Sequence, residues 1–67
     1  MGAAMVVDAR GMRCPWPVLR LSRAMRGVDQ VQILADDPQA EREITALAQQ
    51  QGWYVTAADE GWLVRKI

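Results

Sequence analysis

A chain of 67 residues with one cysteine, no histidine and zero net charge is one small domain held together by packing, because an internal disulfide is excluded and a tetrahedral zinc site lacks its nitrogen and sulfur ligands. Half of the residues are hydrophobic (51%, with three tryptophans), yet no run is long enough for a signal peptide or a membrane span, so a soluble cytoplasmic protein is expected, in a compartment that keeps a thiol reduced. Charge is sorted along the chain: residues 1–28 carry +4, residues 29–64 carry −6, and Arg65 and Lys66 restore the balance, so the cysteine lies in the basic half.

No repeat, linker or low-complexity segment divides residues 1–67, which read as a single domain. Ala3 to Asp8 (AAMVVD) predicts a short buried strand, closed by Gly11. From Pro17 onward, Val18, Leu21, Ser22 and Met25 recur at helical spacing, Arg20, Arg23 and Arg26 take another side, and Gly27 is a stop. Gln30 to Ala35 alternates, with Val31, Ile33 and Ala35 on one face, and predicts a second strand. Asp36-Asp37-Pro38 then opens a second helix, with Asp37 as its cap and Pro38 in a first turn where a missing N–H costs nothing. Ala40, Ile44, Leu47 and Ala48 form its apolar stripe, and Gly52 follows its end. Trp53 to Ala57 (WYVTA) and Trp62 to Lys66 (WLVRK) are strand-like and are joined across AADEG, a hairpin connection.

This order, βαβαββ with short connections, predicts a two-layer α/β sandwich: a mixed four-stranded sheet with both helices on one face. The other sheet face is left to solvent or to a partner.

The cysteine falls where the first strand hands over to the first helix, in RGMRCPWPVLR. Cys14 or Trp16 caps that helix, and Pro15 and Pro17 stiffen its entrance and remove two N–H groups. A helix N-terminus favours an anion by about 0.3 to 1 kcal/mol, so a modest lowering of the thiol pKa is expected, with Arg10 and Arg13 as candidate supports. Asp8 is a candidate either to tie the loop backbone down or to pair with one of these arginines. Without histidine there is no general base for a hydrolytic cysteine, and without a second cysteine there is no resolving thiol. The chemistry left to such a thiol is sulfur exchange, in which Cys14 takes a sulfur atom as a persulfide and passes it on. A buried, inert cysteine is the plain alternative.

DARGMRCPWPVLRL, Asp8 to Leu21, resembles the signature of the TusA/SirA family of small sulfur carriers, with Asp-Ala, a glycine and Cys-Pro-x-Pro opening a helix. Asp36-Asp37-Pro38 matches the family's second turn, and Leu63 to Lys66 resembles its last strand. The resemblance implies the same βαβαββ fold, Cys14 as the sulfur-bearing residue, and no cofactor. It also implies a cysteine desulfurase or rhodanese-type donor and a sulfur-accepting partner protein, in routes such as tRNA thiolation, molybdenum cofactor assembly or sulfur oxidation. Trp16 stands where many members carry an acid, and is either a docking anchor or folded back onto the domain. Trp53 replaces a frequent histidine and is expected in the core. Arg20, Arg23 and Arg26 either steer an acidic partner or form the wet face of their helix. Two other functions are open: a sulfurtransferase acting directly on thiosulfate, and a protein- or RNA-binding module. A pI near 6.1 and the lack of an aromatic-basic stripe count against direct nucleic-acid binding, and no membrane partner is expected.

Overall fold

The two periodicities in the chain, two residues in the strands and 3.6 in the helices, resolve into six elements in the computed structural model, which describes residues 5–66. These are β1 (Met5–Asp8), α1 (Trp16–Ala24), β2 (Gln30–Leu34), α2 (Ala40–Gln51), β3 (Tyr54–Ala58) and β4 (Gly61–Arg65). The four strands form one mixed sheet in the order β1-β2-β4-β3. β1 runs parallel to β2, and β4 pairs antiparallel with both β2 and β3. Inserting β4 between β2 and β3 leaves those two parallel, so each helix is a crossover between parallel strands, as two-layer α/β packing requires.

Alternation selects the buried face. Val7 stands opposite Ile33 and Val31 opposite Val64, and all four are buried beneath Leu21 and Met25 of α1 and its C-cap and Ala40, Ile44 and Ala48 of α2. Their removal from water, about 25 cal/mol per Å² of apolar surface, is the main favourable term available to a chain with no cross-link. Trp53, Val55 and Trp62 pack partly buried against the same cluster, so Trp53, expected in the core, lies at its margin. Among the described residues no helix is long and apolar enough to cross a membrane.

Several boundaries differ from the pattern in the sequence. β1 is not a buried strand: it lies at the sheet edge, where Val7 is buried while Met5 and Val6 are 48% and 58% exposed, because a helix layer covers one face only. Ala3 and Ala4 lie outside the described residues. α1 begins one residue before Pro17, with Pro15 as N-cap, and closes at Met25, before Gly27. α2 begins at Ala40 with Gln39 as N-cap and no side-chain cap. Asp37 instead accepts the Gln39 N–H at 2.9 Å, two residues on, in a local turn. The hairpin is tighter than AADEG suggested, since Ala58 pairs with Gly61 and only Asp59 and Glu60 lie between them, Glu60 at a φ of 58°.

Gly61 is required by close approach. A Cβ there would overlap the Ile33 carbonyl oxygen and stand 2.9 Å from Leu34 Cα, both backbone atoms of the neighbouring strand. We expect Gly61→Ala to destabilise the domain by about 3 kcal/mol, read as a lower urea midpoint. An unchanged midpoint would show that β4 can move off β2 without loss.

Candidate functional site

Because β1 and β2 are parallel, the segments that follow them leave the sheet at the same edge, the carboxyl end where open α/β sheets place their sites. The β1–α1 loop and the β2–α2 loop therefore meet, and two carboxylates, Asp36 and Asp37, join them. Ala9 is fully buried and donates its N–H to Leu34 O at 2.7 Å. Gly11, at a φ of 81°, donates its N–H to Asp36 Oδ1 at 2.9 Å. Cys14 donates its backbone N–H to Asp37 Oδ2 at 2.6 Å. Asp37 thus accepts from Gln39 and from Cys14, and these two hydrogen bonds, in that order, with Arg13 nearby, hold its carboxyl below the usual range.

The loop is fixed on its other side by Asp8. That carboxylate accepts the Arg10 backbone N–H at 3.1 Å and the Arg10 guanidinium at 3.0 and 2.9 Å, so Asp8 both ties the backbone and pairs with an arginine. The remaining arm of Arg10 reaches Glu60 at 3.1 Å across the hairpin. Hydrogen bonding to Arg10 lowers the Asp8 carboxyl to about 2. Arg10 is accordingly committed to two carboxylates, and Arg13 acts on Asp37; the structure pairs neither with the sulfur.

Cys14 follows as an exposed free thiol, joined to Pro15 through a cis peptide bond. Pro15 is the N-cap of α1, so Cys14 stands one step outside the helix. Pro17, in the first turn of α1, is fully buried. Sγ donates to Glu43 Oε2 of α2 at 2.6 Å, and Glu43 Oε1 is buried with no partner. The thiol pKa is therefore raised, first by this hydrogen bond, then by burial of the charged form and by the negative charges of Glu43 and Asp37. This reverses the modest lowering expected from the helix entrance. Its physical reason is that a carboxylate, not an N–H donor, meets the sulfur, while Pro15 and Pro17 carry no N–H, the Cys14 N–H serves Asp37 and the Trp16 N–H serves Arg13 O.

Beside the thiol, Trp16 is 60% exposed and Leu19 49%; the indole does not fold back onto the domain. With Met5, Arg20, Arg23 and Val28 they line a groove along the β1 flank of α1. The sequence reading missed Glu43 because a residue beside the apolar stripe of α2 is ordinarily a solvated one. The available signal was its place next to Ile44 in the turn opened by Asp36-Asp37-Pro38, the same turn that grips the cysteine loop. Chemically, the arrangement is a presented S–H with a carboxylate acceptor in contact and no imidazole or second thiol in the chain.

Comparison with known proteins points to one family. Residues 5–66 match the family model described as "Sulfurtransferase TusA". Two relatives carry the name "Putative sulfur carrier protein". One, YrkI of Bacillus subtilis (strain 168), is 34% identical over 64 residues, spanning 90% of this chain and 85% of its own. The other, from Archaeoglobus fulgidus, is 43% identical over 49 residues, spanning 69% of this chain and 64% of its own.

The Asp8 clamp has a pH signature. A carboxyl lowered from 3.8 to about 2 contributes stability that is complete above the unfolded value and is lost as pH falls through the folded one. We expect the Asp8 side-chain carbon to titrate near pH 2 by NMR, and Arg10→Gln to return it toward 3.8. An Asp8 midpoint that ignores Arg10 would show that the clamp does not form in solution.

Proposed function

Since the chain belongs to the TusA family, we propose that it is a sulfur carrier which holds a sulfane sulfur as a persulfide on Cys14 and delivers it to the thiol of an acceptor protein. The observation that carries this reading is the exposure of the one thiol at a loop tied down from both sides, by Asp36 and Asp37 and by the Asp8–Arg10–Glu60 chain of contacts. A carrier needs its sulfur to enter a partner's active site, and a rigid tip loses little conformational freedom on docking.

In loading, Cys14 sulfur attacks the terminal sulfur of the donor's persulfide, the donor S–S bond breaks, and the donor thiol departs; no net oxidation occurs. The donor is of the cysteine desulfurase or rhodanese type. Pro15 and Pro17 hold the loop, Asp8 and Arg10 clamp it, and Arg13 supports Asp37. Trp16 is the docking anchor, since an exposed aromatic beside the reacting atom is the residue type that carries interface energy, and Arg20 and Arg23 on the same flank favour an acidic partner. A cytoplasm that keeps thiols reduced is the compartment in which this cysteine stays available. Direct use of thiosulfate is the weaker reading: Glu43 and Asp37 surround the sulfur with negative charge, and Arg10 is already paired.

Incubation with a cysteine desulfurase and cysteine is expected to add one sulfur atom to the intact mass, reversibly by reductant, and to add none to Cys14→Ser. No gain with desulfurase, rhodanese or thiosulfate would sink both sulfur-transfer readings. Trp16→Ala is expected to weaken loading from the protein donor about 10- to 30-fold in KM, the scale of one interface anchor, while loading from inorganic polysulfide is unchanged. Equal loss with both sulfur sources would mean that Trp16 shapes the loop instead.

A further inference from the structure

A thiol that attacks sulfur must lose its proton, and thiolate, not thiol, is the nucleophile in exchange. The Cys14 pKa is raised, so free thiolate is scarce at neutral pH and the route through it is slow. The chain has no histidine. The charged groups around the sulfur are otherwise occupied: Asp37 by the Cys14 and Gln39 N–H groups, Asp36 by Gly11, and Arg10 by Asp8 and Glu60, with Arg13 beside Asp37.

Glu43 differs from all of these. It lies in the first turn of α2, Oε2 accepts the S–H at 2.6 Å, and Oε1 is shielded from water without a partner. The one carboxylate in contact with the S–H therefore has a second oxygen that no other group holds. A base within hydrogen-bond reach of the proton it must take satisfies the geometric requirement for general-base catalysis.

We propose that Glu43 is the catalytic proton acceptor for Cys14, taking the thiol proton as Sγ attacks a sulfur electrophile and returning it to the departing sulfur. In loading, the S–H bond of Cys14 breaks as a proton moves to Oε2, and the Sγ electron pair forms a bond to the terminal sulfur of a persulfide. The donor S–S bond breaks, and the donor thiolate takes the proton from the Glu43 carboxylic acid. Delivery to an acceptor thiol is the same sequence reversed. The identity of the electrophile rests on the carrier reading; the proton step does not.

The two are separable with a small neutral disulfide, dithiodipyridine, which tests attack on sulfur without any carrier function. Its reaction with Cys14 is followed by release of the pyridine thione across the pH range, for the wild-type chain and Glu43→Gln. The wild-type rate constant is expected to stay level between about pH 6 and pH 8, because the thiol–carboxylate pair reacts as a unit. Glu43→Gln is expected to lose about tenfold per pH unit below its thiol pKa, as a reaction of thiolate alone must. At about pH 6 the wild-type chain then leads by about 10²-fold, and the two converge at high pH. A wild-type rate that falls tenfold per pH unit overturns the proposal, and does so whether or not the variant folds; a level profile in Glu43→Gln overturns it equally. Cysteine persulfide supplies the second arm: a level disulfide profile with no sulfur gained from the persulfide upholds Glu43 as the proton acceptor and sinks the carrier reading.

Discussion

The site depends on the parallel pairing of β1 with β2. Two parallel neighbours release their chains at the same edge of the sheet, and here the released segments are a loop with N–H groups to satisfy and a loop with adjacent carboxylates to offer. Gly11 and Cys14 donate, Asp36 and Asp37 accept. Had β1 been antiparallel to β2, its following loop would leave at the opposite edge and the sulfur would face neither Asp37 nor Glu43. The core that sets this pairing is modest, a layer of Val7, Val31, Ile33 and Val64 under Leu21, Met25 and Ile44, yet it fixes chemistry carried entirely by exposed or half-exposed groups.

The same contacts explain why this helix entrance does not behave as an anion site. A helix N-terminus attracts negative charge through N–H groups left without partners. At the entrance of α1, prolines occupy positions 15 and 17, and the N–H groups of Cys14 and Trp16 are spent on Asp37 and on the carbonyl of Arg13. Acidic side chains have taken the role an anionic sulfur would have filled, and the thiol is left as a donor to Glu43.

Charge sorting along the chain acquires a spatial meaning as well. The basic first half and the acidic second half do not form two separate surfaces around the site. Arg10 from one half bridges Asp8 to Glu60 of the other, and acids of the second half bind backbone of the first. What stays basic is the flank of α1, where Arg20 and Arg23 border the exposed Trp16 and Leu19.

Local physics let the sequence determine element order, the buried stripes and the place of the cysteine. Val31, Ile33 and Ala35 alternate, Ala40, Ile44 and Ala48 recur at helical spacing, and Gly52 ends its helix at a φ of 78°, each within a window of a few residues. The Cys-Pro-x-Pro segment likewise marked the thiol and its stiff entrance. Tertiary structure alone decided the environment of that thiol: Glu43 lies 29 residues from Cys14 and Glu60 lies 50 from Arg10, separations at which no periodicity operates. Which carboxylate meets the sulfur, and whether an arginine is free or paired, depends on strand order and on how two loops meet at one sheet edge. Propensity and spacing describe a chain relative to itself, whereas the charge of a thiol is set by whatever stands next to it in space.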